Sequence, residues 1–444
     1  MRIQTLQASI PRFASALLLS VILALGAMTA ARAIEVGEVQ SPGGLKAWLV
    51  EDYTVPIITV SVHFRGGSTQ DPVGKEGMAN LLSALFDEGA GPYDSKTFQA
   101  RIEKLGIELG YSDGRDGFSG MLRTLRDDRA DAFEMMRLSL TDLHFEPDAV
   151  GRMRSALQAG IIRRAGQART KASEALRASV FGEHPYARPT RGTVESLASI
   201  TPEDLRQHFG RIFARDNLTV SVVGAISAEE TAKMLDAVFG ALPAKADLIP
   251  VPQAQMRFGE TIRITERTPQ AIVAMAFPGV TRASPEFFAA YLANHILGGG
   301  TFSSRLYNEV REKRGLAYSV SSSMASYDHA AYISAGTGTR ADSVAKTLEV
   351  MRGEIARMAE SGPTQEELDA AKKYVIGSYA IRNLDTTSKV ASALTSMQTE
   401  NLGIDYIERR RDLISAVTLV QVREAARKLL GVEPTVVVVG PENS

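Results

Sequence analysis

Six histidines are the side chains best suited to metal or acid–base chemistry in this 444-residue chain, and their spacing argues against a metal site on one helix. They stand at His63, His144, His184, His208, His295 and His329. Two histidines four residues apart can hold one metal from the same helix face, but here no two lie within five residues. The chain has no cysteine, which excludes thiolate zinc sites and cysteine nucleophiles. The sequence therefore offers no metal site of its own.

A glycine triplet followed by an arginine and a tyrosine forms a second group, within residues 296–323. Gly298, Gly299 and Gly300 precede Arg311 and Tyr318, which are seven positions apart. A phosphate-binding loop would need a strand before the glycines and Lys-Ser/Thr after them, and neither is present. We expect the glycines to end a helix and to leave backbone that a peptide can approach closely. From spacing alone, Arg311 is a solvated helix residue and Tyr318 a half-buried strand residue.

The segment 65–91 predicts an amphipathic helix, because apolar residues recur at Met78, Leu81, Leu82 and Leu85. With its flanks, this segment resembles the metal-binding helix of the pitrilysin–insulinase family of zinc metallopeptidases, which includes the mitochondrial processing peptidases. In that family the helix carries His-x-x-Glu-His. The two histidines bind zinc from one helix face, and the glutamate acts as base on the metal-bound water.

The resemblance implies that this helix has lost its chemistry. In the register set by the flanking residues, Asn80 and Ala84 replace the two histidines, and Ser83 replaces the glutamate. Alanine cannot bind a metal, and serine is too weak a base to activate water at neutral pH. Family members take a third ligand, a glutamate, from a later helix, but no acidic residue occurs from Gly151 to Ser173. We expect no metal and no cofactor bound by this chain.

The segment around Arg311 and Tyr318 resembles the C-terminal domain of the same family. There the matching arginine binds substrate carbonyls, and the matching tyrosine hydroxyl stabilises the tetrahedral oxyanion at the zinc site of the opposite lobe. Gly298–Gly300 would then contact substrate. Always-charged arginine and a directed phenol O–H are suitable donors for developing negative charge.

Relatives without the zinc motif occur as one half of a heterodimer. The resemblance thus implies a non-zinc subunit of a periplasmic zinc metallopeptidase, whose homologous partner carries His-x-x-Glu-His and the zinc. The substrate would be an unfolded peptide or protein, and this chain would be an enzyme only as part of the pair. The alternative is a catalytically inert peptide-binding or scaffolding pseudoenzyme of the cell envelope.

An internal repeat organises the chain. Gly224 and Gly440 each close a Thr-capped helix, turn and Val-rich strand, and they lie 216 residues apart. Pro147 and Pro363, each at the start of a predicted helix, are also 216 residues apart. A third, weaker pair of similar segments begins near Gly77 and near Pro285. Three pairs in the same order predict two copies of one domain.

We predict an α+β fold of two homologous domains, each an antiparallel sheet with helices on one face, together forming half of a clamshell. The N-terminal domain covers residues 34–242 and the C-terminal domain residues 258–444. The join at residues 243–257 contains three prolines, Pro243, Pro250 and Pro252, which favour an extended linker. His184 lies in a loop that we expect to be structural.

The N-terminus is typical of a signal peptide. Arg2 and Arg12 are followed by an apolar run over residues 13–29 and by Ala31-Arg32-Ala33, a small-x-small cleavage site. Residues 1–33 are thus predicted to be removed in the periplasm; the alternative is an uncleaved anchor, because the run is nearly long enough to span a bilayer. After cleavage we expect no stable membrane span. The net charge of −1 gives no reason to expect a nucleic acid partner.

Cleavage after Ala33 gives the first prediction. N-terminal sequencing of the protein from its native host should begin at Ile34. Met1 at the N-terminus of protein in the membrane fraction would instead favour the retained anchor.

Overall fold

The computed structural model describes residues 34–442, so the predicted signal peptide lies outside the described residues. The strands are β1 Gly37–Gln40, β2 Lys46–Glu51, β3 Ile57–Arg65, β4 Gly89–Ala90, β5 Tyr93–Asp94, β6 Glu108–Asp113, β7 Gly117–Leu125, β8 Leu218–Gly224, β9 Thr261–Thr265, β10 Gln270–Pro278, β11 Ala317–Ser326, β12 Ala331–Arg340 and β13 Thr435–Gly440.

The α-helices are Met78–Ser83, Ser95–Leu105, Arg129–Thr141, Pro147–Ala165, Ala168–Phe181, Val194–Ser199, Pro202–Ile212, Ala228–Phe239, Phe287–Asn294, Val344–Ser361, Gln365–Gly377, Tyr379–Asn383, Thr387–Thr399, Tyr406–Ser415 and Leu419–Leu430. Two π-helical segments, His295–Gly299 and Tyr307–Glu312, lie between them. Among the described residues, we find no helix with the length and apolar character needed to cross a membrane.

Two large sheets have the same strand order, which confirms the predicted α+β class with two homologous domains. The first runs β1-β2-β8-β3-β7-β6 and the second β9-β13-β10-β12-β11. Leaving out β1, the strands correspond one to one along the chain. Neither sheet is fully antiparallel, because β2 pairs with β8 and β9 with β13 in parallel. A parallel pair needs a long crossover, and in each half several helices fill that connection.

One face of each sheet packs against helices from its own half. In the first half, Val60 and Val62 of β3 are buried in one core with Leu81, Leu82 and Leu85. The predicted apolar stripe on the helix Met78–Ser83 is therefore the side that faces the sheet. A comparable core in the second half includes β10 and the helices that follow it.

The other face of the first sheet is covered by a helix of the second half, Thr387–Thr399. Its Thr395 hydroxyl lies 2.9 Å from Ser61 Oγ and 3.0 Å from Ser221 Oγ. Gln398 Nε2 donates to Val220 O at 3.0 Å. Polar residues on this face of β3 and β8 are thus buried and hydrogen-bonded across the two halves.

The second sheet receives a helix of the first half in return. Ala168–Phe181 packs against β10 and β13 through Ala172, Leu176 and Val180. The expectation of helices on one face only is therefore incomplete, because the central strands of each sheet are covered on both faces. The physical reason is the exchange of one helix in each direction between the halves.

Between Gly240 and Thr261 the described chain contains no helix or strand. This segment is extended and held at several points: Gln70 exchanges two hydrogen bonds with the backbone of Ile249, at 2.7 and 3.0 Å. Ala254 N donates to His329 O at 2.9 Å. The chain therefore crosses between the two halves in a fixed conformation.

The contacts of Thr395 give the second prediction. Thr395→Val should lower the free energy of unfolding by about 1–3 kcal/mol, because it keeps the shape but leaves the buried Ser61 hydroxyl without this partner. Thr399→Val is the matched control, since that hydroxyl bonds only to Ser396 O of its own helix. Chemical denaturation measures the free energy of unfolding of both variants. An equal loss in the two would contradict a stabilising role for the contacts of Thr395 across the halves.

Candidate functional site

The helix Met78–Ser83 is anchored at its start by a buried carboxylate. Asp71 accepts hydrogen bonds from Gly77 N at 2.9 Å and Ala79 N at 3.0 Å, which satisfies backbone N–H groups that have no partner within the helix. Burial raises the pKa of Asp71 to about 7, although both hydrogen bonds oppose the rise. His208 lies 3.8 Å away, and burial lowers its pKa to about 4. These residues fix the helix and supply no open site.

At the positions that resemble the zinc motif, the side chains bond to the protein itself. Asn80 Nδ2 donates to Asp113 Oδ1 at 2.8 Å. Ser83 Oγ lies 3.0 Å from the same oxygen and 2.9 Å from Asn80 O. Ala84 caps the C-terminus of the helix, and its side chain has no atom that can bind a metal. The carboxylate of Asp113, at the end of β6, thus engages the side chains that replace the first histidine and the glutamate.

The surroundings of these residues do not fit zinc. The neighbouring cavity of about 400 Å³ is lined by Ser83 and Ala84 together with Tyr111 and Met153. Two carboxylates also line it, Asp87 and Glu88, of which Glu88 is paired with Arg152 at 2.6 Å. Met153 belongs to the helix Pro147–Ala165, on which the resemblance places the third ligand of the family. Within residues 34–442, no three His, Cys, Asp or Glu residues are grouped so that they could hold a metal ion. A soft thioether and an alanine are poor substitutes for imidazole and carboxylate ligands.

Arg311 and Tyr318 are brought together on the second half. The guanidinium carbon of Arg311 lies 4.9 Å from the Tyr318 ring centroid and 4.8 Å from that of Tyr307. Arg311 is half-buried between the two rings, whereas Tyr318 is 82% exposed. Both positions differ from what spacing alone suggests, a solvated arginine and a half-buried tyrosine. Two ring contacts hold the cation in place while the tyrosine remains open to a ligand.

A bulge in an edge strand presents Tyr318. The pairing of β11 with β12 shifts between Ala317 and Val320, so Tyr318 lies in the irregular stretch of an outermost strand. Bulges reorient side chains and occur often beside active sites. No hydrogen bond of the Tyr318 hydroxyl to another described residue is present. Its O–H is therefore available.

The glycine triplet allows the helix end to pack closely against β11. A Cβ on Gly298 would lie 2.6 Å from Ser322 N, and one on Gly300 would lie 2.8 Å from His295 O. Gly300 N donates to His295 O at 2.8 Å, which closes the π-helical segment. Gly299 lies between them, next to Asn294. The triplet thus positions the backbone that leads to Arg311.

The two candidate groups lie at corresponding edges of the two sheets. Asn80 and Ser83 contact the end of β6, and Tyr318 lies on β11; the repeat makes these strands equivalent. Asp113 and Tyr307 were absent from the sequence-based predictions. Tyr307 could have been found by its position four residues before Arg311 on one helix face. The contact with Asp113 joins residues 33 apart and has no local signal.

This fold is that of a zinc-peptidase-like protein, and its helix Met78–Ser83 contains no histidine and no acidic residue. The family model described as insulinase (peptidase family M16) matches residues 47–194, and the model of the peptidase M16 inactive domain matches residues 199–375. The chain belongs to peptidase family M16.

Individual relatives support this family assignment. An uncharacterized zinc protease of Streptomyces coelicolor is 26% identical, covering 90% of this chain and 88% of its own. The non-peptidase homolog YmxG of Helicobacter pylori is 26% identical, covering 77% of this chain and 79% of its own. A crystal structure of the peptidase M16 inactive domain from Pseudomonas fluorescens covers 92% of this chain and 98% of its own, with a TM-score of 0.86 and 28% identity.

The third prediction concerns metal. The purified chain should retain no stoichiometric zinc after dialysis against a weak chelator, because Asn80, Ser83 and Ala84 cannot replace the ligand set. Elemental analysis decides this, with a family member that carries His-x-x-Glu-His as the positive control. One zinc retained per chain would show that the assumed register is wrong.

Proposed function

We propose that this chain is the non-zinc subunit of a heterodimeric zinc metallopeptidase and contributes Arg311 and Tyr318 to the hydrolysis of peptides. The partner would be a homologous subunit with His-x-x-Glu-His, and its zinc would supply the Lewis acid and the activated water. The two chains would form a clamshell around the substrate. The proposal rests chiefly on the exposed Tyr318 hydroxyl beside a guanidinium that two aromatic rings hold in place.

The two side chains would act on the substrate carbonyl. As water attacks, negative charge develops on the carbonyl oxygen, and donors already oriented towards it lower the barrier. The Tyr318 O–H would donate to that oxygen. Arg311 would bind a carbonyl of the substrate before and during the reaction. Arg311 Nε lies 3.8 Å from the carboxylate of Glu312, an exposed neighbour on its own helix, and Glu309 is paired with Lys313 at 2.6 Å and with Arg314 at 2.6 Å.

An extended peptide suits this arrangement. Both β6 and β11 are outermost strands, with backbone groups on one side unpaired within their sheets. A peptide can add to such an edge as a further strand, and its main chain then supplies most of the hydrogen bonds. Gly298–Gly300 leave little bulk beside β11. The substrate would accordingly be an unfolded segment, and its site the periplasm, as residues 1–33 predict.

A second candidate is an inert peptide-binding or scaffolding protein. It is favoured by the hydrogen bonds from Asn80 and Ser83 to Asp113, which give the helix Met78–Ser83 a structural role. The relative named as a non-peptidase homolog is consistent with it. Under this candidate, no pairing gives turnover.

The fourth prediction separates the two candidates. In the pair reconstituted with its zinc-bearing partner, Tyr318→Phe should lower kcat by roughly 10²–10³-fold, the effect of losing one oxyanion donor. Folding and pairing should be unchanged, because only an exposed hydroxyl is removed. Arg311→Ala should also raise KM, since it removes binding present before the reaction. A quenched fluorescent peptide provides the assay.

Tyr53→Phe is the matched control: Tyr53 is also exposed, and its hydroxyl lies 3.1 Å from Glu51 of the first half. An active pair in which Tyr318→Phe equals the wild type would refute the catalytic role. Absence of turnover in every pairing would favour the inert binding protein.

A further inference from the structure

A cleft lies where the exchanged helix Ala168–Phe181 meets the second sheet, separate from Arg311 and Tyr318. Its volume is about 330 Å³, within the range of small-ligand sites. The helix covers β10 and β13, and the cleft extends towards β12 and β11. Small residues such as Ala274 and Gly336 line it on the sheet side. Space for a ligand group therefore exists between the two halves.

The cleft has positive charge and no acid. Arg169 and Arg177 of the helix line it, and none of its lining residues is Asp or Glu. Over the described part of the chain, neither arginine forms an ion pair. Arg305, a half-buried arginine elsewhere in the second half, is by contrast compensated, because it makes two hydrogen bonds of 2.7 Å to Glu367. The lining thus carries no negative charge, and the acid that acts on Arg177 electrostatically, Glu174, is not among the lining residues.

Of the two arginines, Arg177 is the one more affected by the absence of an ion-pair partner. Its Nη1 donates to Ser173 Oγ at 2.5 Å, but its Nε is buried and has no partner in the structure. Burial lowers the pKa of the Arg177 guanidinium, and the nearby charge of Arg115 adds to the effect. A desolvated cation without a counter-ion costs free energy, so an anion that enters the cleft is favoured.

Hydroxyl groups complete the donor set. Ser321 and Ser323 of β11 and Ser334 of β12 line the cleft, and Ser323 Oγ lies 2.9 Å from Ser334 Oγ. A carboxylate accepts several hydrogen bonds, and a planar guanidinium can bind both of its oxygens. The combination suits a carboxylate better than a neutral or cationic group.

We propose that this cleft binds a carboxylate of a peptide, with Arg177 as the principal ligand and Arg169 and the β11 serines as supporting donors. This inference rests on the proposed function only for the statement that the ligand is a peptide. The carboxylate is either the C-terminus or an Asp or Glu side chain, and both share the same chemistry.

The test measures binding to the isolated mature chain, so it does not depend on turnover. Three labelled peptides of one length are compared by fluorescence anisotropy: one with a free C-terminus and no acid, one amidated with a central Glu, and one amidated with no acid. At least one carboxylate peptide should bind roughly 10- to 100-fold more tightly than the neutral peptide. Which one does so identifies the source of the carboxylate.

Arg177→Gln should abolish that difference, whereas Arg163→Gln, an exposed arginine on the preceding helix, should retain it. The ligand-free Arg177→Gln variant should melt at the same temperature as the wild type or higher, because it removes an uncompensated buried charge; a purely structural arginine would give a lower Tm. Equal binding of all three peptides, or binding of inorganic phosphate alone, would overturn the proposal.

Discussion

The exchange of one helix in each direction between the halves is the constraint on which this structure depends. Thr387–Thr399 covers the polar face of the first sheet, and Ala168–Phe181 covers the apolar outer face of the second. The central strands of each sheet, β3 and β8 in the first and β10 and β13 in the second, are thereby covered on both faces. Two similar domains with separate cores become one unit through these contacts.

This exchange also determines where chemistry is possible. The outermost strands are β1 and β6 in the first sheet and β9 and β11 in the second, and the two candidate groups lie beside β6 and β11. At β6 the residues have become structural, because Asp113 takes up the polar groups of Asn80 and Ser83. At β11, by contrast, a ring contact holds Arg311 in place while the Tyr318 side chain stays exposed. The two repeats therefore differ at equivalent places, and the exposed Tyr318 beside Arg311 is the group to which we assign the proposed role.

Much of the fold follows from local signals. The shared offset of 216 residues predicts the repeat, and Thr201 and Thr418 do begin helices through capping boxes. The exchanged helices could not be predicted, because Thr59, Ser61 and Ser221 have the alternation of a solvent-facing strand side. Thr395 bonds to Ser61 and Ser221, and Thr387 bonds to Thr59, and both threonines lie far away in the sequence. In the same way, the spacing of Arg311 and Tyr318 does not reveal that Tyr307 fixes the guanidinium from its other side.

The central claim is that this chain completes the site of a zinc-bearing partner. Titrating it into a fixed concentration of a separately purified partner with His-x-x-Glu-His, and following cleavage of a fluorescent peptide, tests this most directly. Peptidase activity should rise from near zero and saturate at one chain per partner. A partner that is fully active alone, with no change as this chain is added, would contradict the claim.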